Sequence, residues 1–333
     1  MNSNKVAVIG SNSFSGSHFV DYLIKNEYQV LGFSRSEQPK TPFLPYQWSK
    51  ISVENNFSFI KAELNNDFDL IVQSLLDFKP DYVINFSAQG MVAESWLSPC
   101  DWYQTNVVSQ VRLHDEMRKM DFIKKYVHFS TPEVYGSTDG WIEENFNFSP
   151  STPYATSRAA CDLHLMSFFK NYDFPVVFTR AANVFGPGQQ LYRIVPRVIM
   201  SALISEPMDL HGGGLSERSF IDIRDTVSAT MEIMFNGKPG ETYHISTNEK
   251  IAIKALVYKV FNMMEIKPDN LVNISEERLG KDQAYLLQSD KIRSKFGWKE
   301  NYTLDQTILE TIDWAKKNIE ILKELPLNYI HKT

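Results

Sequence analysis

The alternation of short apolar runs with longer helical patterns constrains the fold of this chain more than any other feature. The apolar runs occupy residues 5–9, 29–33, 80–86, 125–129 and 175–179. The helical patterns occupy residues 17–25, 103–120 and 154–170. Continuous apolar runs are typical of strands that are buried on both faces. The alternation therefore predicts an α/β fold, a Rossmann doubly wound parallel sheet that binds its ligand at the carboxyl ends of the strands.

In the second half of the chain, apolar runs and helical patterns alternate less regularly. Three prolines, Pro187, Pro196 and Pro207, and a run of glycines at 212–214 interrupt it. This change predicts a dinucleotide-binding domain over residues 1–180, to which the chain returns near 219–246. A smaller carboxyl-terminal substrate-binding lobe is expected over 181–333. We expect the ligand cleft between the two.

Charge and cysteine content narrow the possible partners. The chain has 34 Lys and Arg against 40 Asp and Glu, a formal net charge of -6, which disfavours a nucleic-acid partner. Its two cysteines and seven histidines show no disulfide framework and no metal-ligand spacing, so we expect no metal site. No leader and no apolar run of membrane-spanning length is present, and we therefore expect a cytoplasmic protein without a membrane partner.

The turn between the first strand and the first helix is rich in glycine and serine. Gly10 and Gly16 enclose it, and Ser13, Phe14 and Ser15 lie between them. Small residues at such a turn let backbone N–H groups and the positive end of the helix approach a pyrophosphate. Ser13 stands where a glycine is common and is small enough for the same purpose. The turn predicts a dinucleotide cofactor.

The end of the second strand bears on which cofactor is bound. It is followed by Ser34, Arg35 and Ser36, with no carboxylate before Glu37. A carboxylate at this place binds a ribose with a free 2′-hydroxyl, whereas a guanidinium flanked by hydroxyls suits a 2′-phosphate. The sequence therefore predicts NADP as the cofactor, with NAD as the alternative.

Several ordered motifs resemble those of the extended short-chain dehydrogenase/reductases that act on nucleotide sugars. The segment 154–158 resembles their Y-x-x-x-K motif, and 130–136 resembles the S-T-D-E-V-Y-G motif of the 4,6-dehydratases. Further similar blocks lie at 85–89, 180–187, 214–225 and 289–298. Because the matches span nearly the whole chain in order, it is identified as a member of this epimerase and dehydratase family. It is most similar in its motifs to the dTDP-glucose and GDP-mannose 4,6-dehydratases.

The resemblance implies catalytic roles for four side chains. Tyr154 would take the proton of the sugar C4 hydroxyl while hydride leaves for the nicotinamide, and Thr131 would hydrogen-bond the same oxygen. The ordinary pKa of tyrosine, about 10, must be lowered by positive charge for this role. Arg158 stands where the family has lysine and keeps that charge. Glu133 would remove the C5 proton, although Pro132 replaces the aspartate that is the acid in dTDP-glucose dehydratases.

The same resemblance implies two further groups of binding residues. Besides the turn, the 34–36 segment, Tyr154 and Arg158, the cofactor would contact Glu63, Leu64, Phe86, Ser87 and Ala88. A diphosphate calls for guanidinium groups and other donors, and the nucleotide-sugar would contact Gln89, Asn183, Arg193, Arg218 and Arg278. The family also implies a homodimer that is built from the helices near 103–120 and 154–170.

These expectations make 4,6-dehydration of a nucleoside-diphosphate hexose, a hydro-lyase reaction, the leading function. A 4-epimerase is disfavoured by Glu133, because epimerases usually have a small residue there. A nucleotide-glucuronate decarboxylase also keeps the glutamate and stays open as an alternative. A nicotinamide-binding sensor without turnover is favoured by Arg158 but opposed by the joint presence of Thr131, Glu133 and Tyr154.

Overall fold

The computed structural model describes residues 4–48, 56–277, 279–280 and 282–332. The strands of this part are β1 Lys5–Ile9, β2 Gln29–Ser34, β3 Phe57–Lys61, β4 Tyr82–Asn85, β5 Lys125–Phe129, β6 Trp141–Ile142, β7 Val176–Ala181, β8 Asn183–Phe185, β9 Met208–His211, β10 Glu217–Arg218, β11 Phe220–Asp222, β12 Thr242–Ile245, β13 Ile251–Ala252, β14 Val272–Ser275 and β15 Ala284–Leu287. Its α-helices are α1 Phe14–Lys25, α2 Phe68–Phe78, α3 Pro99–Tyr103, α4 Ser109–Met117, α5 Pro153–Tyr172, α6 Ile194–Ile204, α7 Ile223–Asn236, α8 Ile253–Met263, α9 Asp290–Phe296, α10 Leu304–Lys317 and α11 Ile319–Leu322.

A seven-stranded parallel sheet forms the centre of the molecule. Its strand order is β12-β7-β5-β4-β1-β2-β3. In β1, Ile9 pairs with Phe33 of β2 on one side and with Asn85 of β4 on the other. The order of the chain reverses between β1 and β4, and open sheets of this kind bind ligands in the crevice at that point. The predicted Rossmann architecture is confirmed.

Helices cover both faces of this sheet, which is why its central strands are continuous apolar runs. Residues of α1 and α7, such as Phe19, Leu23 and Val227, pack in the core on one face. On the other face, Ile71 of α2 and Leu113 of α4 pack in a second core. Burial of strands on both faces requires such helical layers.

Several elements differ from those predicted. The edge strand β3 and helix α2 were not predicted. Ser58 and Lys61 of β3 are exposed and interrupt its apolar pattern, because an edge strand is less buried than a central one. The first helix begins earlier than expected, at Phe14. The helix expected over 103–120 is in fact α3 and α4, which a π-helical turn at Gln104–Val108 joins, and it ends at Met117.

A second lobe contains its own apolar core, formed mainly by α6, α8 and α10. The chain crosses back from this lobe to the main sheet twice. Strand β12 pairs with β7 at one edge of the seven-stranded sheet. After α11, residues 325–332, here called the returning segment, run back to α3, where His331 stacks on Trp102. None of the helices in the described part of the chain is both long enough and apolar enough to span a membrane.

Candidate active site

The turn between β1 and α1 packs closely against the end of β4. Gly10 has a φ of +84°, and a Cβ there would lie 2.9 Å from the backbone nitrogen of Ser87. A Cβ on Gly16 would collide with the carbonyl oxygen of Gly10. The Ser13 hydroxyl caps α1 by accepting from the Gly16 N–H at 3.0 Å. Since the first N–H groups of a helix have no partner within it, this terminus suits a pyrophosphate.

Two adjoining cavities open at the carboxyl ends of the strands. The first, here called the strand-end cavity, has a volume of about 600 Å³ and lies between β1–β4 and the returning segment. It is lined by most of the residues expected at the cofactor, namely Gly10, Ser13, Ser34, Arg35, Ser36, Glu63, Leu64, Phe86, Ser87 and Ala88. Both the cavity and the glycine turn therefore fit a dinucleotide.

The second cavity, here called the cleft, has a volume of about 650 Å³ and lies between the sheet and the second lobe. Four expected catalytic residues line it, Thr131, Glu133, Tyr154 and Arg158. Four residues expected at the nucleotide-sugar line it as well, Gln89, Asn183, Arg193 and Arg218, together with Phe14 and Ser15 of the turn. Arg278 lies outside the described residues. The structure thus brings the remaining predicted catalytic and substrate residues into one space.

Two local structures position the predicted catalytic side chains. Thr131 follows β5 and begins a short 3₁₀ turn, where its hydroxyl oxygen lies 3.3 Å from both the backbone nitrogen and the carboxylate of Glu133. Tyr154 stands in the first turn of α5, which begins at Pro153 and is capped by the Thr152 hydroxyl. The hydroxyls of Thr131 and Tyr154 also interact. A strand end and a helix start, both rigid, therefore hold the three groups together.

The environment of Glu133 makes its carboxyl group able to give and take a proton near neutral pH. Burial raises the pKa of Glu133 to about 7, and the charge of Asp282 acts in the same direction. The positive charges of Arg218 and Arg193 and the hydroxyl of Thr131 oppose this shift. A group whose pKa lies near the working pH is well suited to general acid–base catalysis.

The pKa of Tyr154 is raised, whereas nearby positive charge was expected to lower it. Burial raises the pKa of Tyr154, and the neighbouring carboxylate of Glu133 raises it further. Arg158 lowers it, as predicted for the residue in the lysine position, but does not outweigh burial. The protein's own groups thus keep the phenol protonated at neutral pH, and it needs further positive charge nearby before it can act as a base.

Arg158 is almost completely buried, with 2% of its surface exposed. One terminal nitrogen, Nη2, donates to the carbonyl oxygen of Phe129 and contacts Nε2 of His128 at 3.2 Å. The other two nitrogens, Nε and Nη1, are buried and lack a partner among the described residues. Buried donors are nearly always paired, so these two nitrogens are exceptions among the described residues.

A cluster of buried polar side chains lies next to Arg158 and contacts it through His128. Asp162 forms an ion pair with Arg180 at 2.8 Å and accepts from the Ser130 hydroxyl at 2.8 Å. Its second oxygen lies 3.3 Å from Nε2 of His128. Despite burial, the neighbouring Arg180 and His128 hold the pKa of Asp162 well below its usual value. An ionised carboxylate that is paired with Arg180 and Ser130 therefore lies behind the wall of the cleft.

One group among the described residues has ligand atoms close enough to hold a metal ion. The side-chain atoms of His114, His128 and Cys161 lie within 4.8 Å of one another in the core. Burial raises the pKa of the Cys161 thiol to about 12, and the positive charge of Arg158 acts on all three side chains. A protonated thiol and an adjacent guanidinium disfavour a cation. The absence of a metal site remains a prediction.

The residues expected at the diphosphate occupy the wall that the second lobe contributes. Arg218 donates to the carbonyl oxygens of Asp282 and Gln283 at 2.7 and 3.1 Å, and it stacks on the ring of Tyr285 at 4.1 Å. The side-chain oxygen of Asn183 accepts from the Tyr285 hydroxyl at 3.1 Å. These contacts fix the direction of the guanidinium at the edge of the cleft.

Two predicted binding residues are held by the returning segment. The side-chain nitrogen of Gln89 donates to the carbonyl oxygen of Lys332 at 2.7 Å, and a nitrogen of Arg35 donates to the same oxygen at 3.0 Å. The backbone of Gln89 is fixed from the other side by Asn106, which lies in the π-helical turn. Arg35, the basis for predicting NADP, thus has a structural partner.

Sequence analysis missed several residues of the two cavities. Asp282 and Tyr285 line the cleft, and Tyr192 and Tyr329 line both cavities. Asp282 lies in a stretch that carries arginine and lysine, yet nothing local marks it, and Tyr285 stands on the four-residue strand β15. Only their tertiary placement brings them to the site.

The fold and the site together define a short-chain dehydrogenase/reductase of the kind that modifies nucleotide sugars. The profile of the family described as GDP-mannose 4,6 dehydratase matches residues 8–311. Because this match covers most of the chain, the protein belongs to that family.

Individual relatives agree with this assignment. A dTDP-glucose 4,6-dehydratase from Xanthomonas campestris is 30% identical over 80% of this chain and 82% of its own length. A mouse dTDP-D-glucose 4,6-dehydratase is 28% identical over 94% of this chain and 89% of its own. The structure of the Bacillus anthracis dTDP-glucose 4,6-dehydratase, in complex with NAD, has a TM-score of 0.86 at 27% identity, covering 97% of this chain and all of that one.

Proposed function

We propose that this protein is an NAD-dependent nucleoside-diphosphate-hexose 4,6-dehydratase, a hydro-lyase. The observation that carries the proposal is the placement of Thr131, Glu133 and Tyr154 in one cleft, next to a turn that fits a pyrophosphate. The pKa of Glu133, about 7, separates this site from one that only oxidises an alcohol, because it provides a group for moving a carbon-bound proton.

The cofactor that we propose is NAD rather than NADP. Arg35, the guanidinium that suggested a 2′-phosphate, donates to the carbonyl oxygen of Lys332. A 2′-phosphate would have to compete with this contact, whereas a free 2′-hydroxyl would not. The NAD complex of the Bacillus anthracis relative supports the same choice.

Oxidation of the sugar at C4 relies on Tyr154, Thr131 and Arg158. When bound, the nicotinamide supplies the hydride acceptor and later donor, and its oxidised ring adds positive charge near the phenol. With this added charge and that of Arg158, the phenol of Tyr154 gives up its proton to solvent, and the phenolate then takes the proton of the C4 hydroxyl. Thr131 holds the same oxygen by a hydrogen bond. Arg158 lowers the pKa of Tyr154.

Loss of water across C5–C6 relies on Glu133. A ketone at C4 acidifies the C5 proton, which the carboxylate removes. Pro132 carries no proton to give, so the protonated Glu133 delivers one to the leaving C6 hydroxyl, and water departs. Hydride addition at C6 and protonation at C5, with a proton drawn from solvent, complete a 4-keto-6-deoxy sugar. A pKa of about 7 suits one carboxyl group to both transfers.

We also propose that two chains assemble into a homodimer through α3, α4 and α5. These helices pack on one another. Tyr103 of α3, Val108 of the joining π-helical turn and Leu163 of α5 are apolar side chains that are 37%, 47% and 52% exposed. Exposed apolar patches of this kind mark protein interfaces.

The two unpaired cysteines, one of them the exposed Cys100, suit a reducing compartment and support a cytoplasmic location.

The proposed reaction is tested by incubating the protein and NAD with dTDP-, GDP- and UDP-hexoses and measuring the product mass. We expect one substrate class to yield a product lighter by one water. Glu133→Gln should abolish this loss, and Glu143→Gln, a change of an exposed glutamate ten residues further along the chain, should leave it unchanged. An isomer of unchanged mass would indicate an epimerase, and loss of carbon dioxide from a nucleotide-glucuronate would indicate a decarboxylase.

A further inference from the structure

The returning segment forms one wall of the strand-end cavity. Its residues Leu325, Pro326, Asn328, Tyr329, Ile330 and Lys332 face the ends of β1–β4 across that space. The cavity beneath the segment keeps a volume of about 600 Å³, within the range of ligand pockets in proteins. The segment therefore covers the cavity and does not fill it.

The end of the segment is attached to residues on two sides of the glycine turn. The carbonyl oxygen of Lys332 accepts from both Arg35, which follows β2, and Gln89, which follows β4. The side chain of Lys332 donates to the Ser36 hydroxyl at 3.2 Å. Both Arg35 and Gln89 line the cleft, so the attachment lies where the two cavities meet.

A second attachment lies outside both cavities. The ring of His331 stacks on the buried Trp102, with ring centres 4.9 Å apart and planes at 15°. Its Nε2 donates to the Asp101 carboxylate at 2.7 Å. Neither His331 nor Trp102 lines the strand-end cavity or the cleft, so this contact holds the segment in place without requiring a ligand.

Tyr329 lies between these attachments and borders both cavities. Its ring meets that of Tyr192 edge to face at 5.3 Å, and its hydroxyl donates to the side-chain oxygen of Gln89 at 3.4 Å. Tyr192 belongs to the second lobe and Gln89 to the main sheet. The segment thus bridges the two lobes above the place where a dinucleotide would pass from one cavity to the other.

We propose that the returning segment is part of the cofactor site and retains the dinucleotide between turnovers. This inference rests on the proposed function, since a reaction that restores its cofactor in each cycle has no need to exchange it. A dinucleotide whose adenosine half lies under the segment leaves only when the attachments of His331 and Lys332 open. The segment therefore slows dissociation without entering the chemistry.

The experiment measures the rate at which bound radiolabelled NAD leaves the full-length protein after addition of excess unlabelled NAD, with no sugar present. His331→Ala removes the stacking on Trp102 and the bond to Asp101, and we expect about tenfold faster dissociation. Lys323→Ala, a change of an exposed lysine just outside the segment, is the matched control and should keep the original rate.

A second variant, Tyr329→Ala, tests the bridge between the lobes independently of the first attachment and should also accelerate dissociation. Circular dichroism of each variant verifies the fold. Unchanged dissociation in both folded variants would overturn the proposal, as would a wild-type protein that releases NAD as fast as the variants. Slow release without conversion of any nucleotide-sugar would instead refute the proposed reaction and leave the role of the segment standing.

Discussion

At the scale of single residues, Glu133 is the group whose ionisation matters most. Its pKa is raised by burial from 4.5 to about 7, so between these values the folded chain binds more protons than the unfolded chain. Stability must therefore fall as pH rises through this window. We expect Glu133→Gln, which cannot ionise, to be more stable than wild type by about 3 kcal/mol at pH 8, and equally stable near pH 4.

Thermal unfolding at pH 4 and pH 8 measures this difference. The control Glu143→Gln changes an exposed carboxyl and should follow the wild-type curve at both pH values. Equal stability of Glu133→Gln and wild type at pH 8 would show that burial does not raise the pKa of Glu133. That result would contradict the acid–base role assigned to this residue.

The charge of Arg158 is the second determinant at this scale. Because Arg158 lowers the pKa of Tyr154, Arg158→Gln should raise that pKa and move the rising limb of the pH–rate profile to higher pH. We expect its kcat to fall about 100-fold. Arg158→Lys keeps the charge and should stay within about tenfold of wild type. Steady-state kinetics from pH 6 to 10 provide the comparison, and equal profiles for Gln and Lys would contradict this role.

At the scale of elements, the turn between β1 and α1 depends on the absence of a side chain at Gly16. A Cβ there meets the Gly10 carbonyl oxygen, so Gly16→Ala must shift the helix start away from the turn. We expect NAD affinity to fall at least tenfold, by about 1.4 kcal/mol or more, in calorimetric titration. Gly90→Ala, where a Cβ would meet nothing closer than the Arg193 side chain at 4.0 Å, should bind NAD normally. Equal affinity in both variants would contradict a pyrophosphate at this turn.

The elements also show how far the sequence predicts the fold. The central strands β1, β4, β5 and β7 were predicted because burial on both faces makes them continuous apolar runs. The edge strand β3 lacks that signal, and α2 was not recognised. The π-helical turn at Gln104–Val108 was also missed, because a wide turn inside a helix leaves the apolar period nearly unchanged.

The residues of the site also divide into those that a sequence pattern predicts and those that it does not. Motifs with fixed local spacing predicted Thr131, Glu133 and Tyr154, which the structure brings into one cleft. Tyr285 and Tyr329 were not predicted, since they reach the cavities through pairing of short strands and through the returning segment. Such contacts join residues far apart in sequence and leave no periodic pattern.

At the scale of the whole molecule, the proposed dimer predicts a change of mass in solution. Leu163 of α5 is 52% exposed on the expected interface, and a carboxylate there would be buried unpaired on association. Leu163→Glu should therefore convert the dimer to monomer in sedimentation velocity. Leu309→Glu is a matched control, because Leu309 on α10 is equally exposed. A wild-type protein that sediments only as monomer would overturn the dimer.

The central claim is that hydride leaves C4 of a sugar and returns to C6 of the same molecule while water is lost. The most direct measurement uses the reactive nucleotide-hexose labelled with deuterium at C4, followed by mass spectrometry and NMR of the product. We predict a product that is lighter by one water and carries the deuterium on its C6 methyl group. A product of unchanged mass with deuterium still at C4, or a dehydrated product without deuterium, would contradict the account.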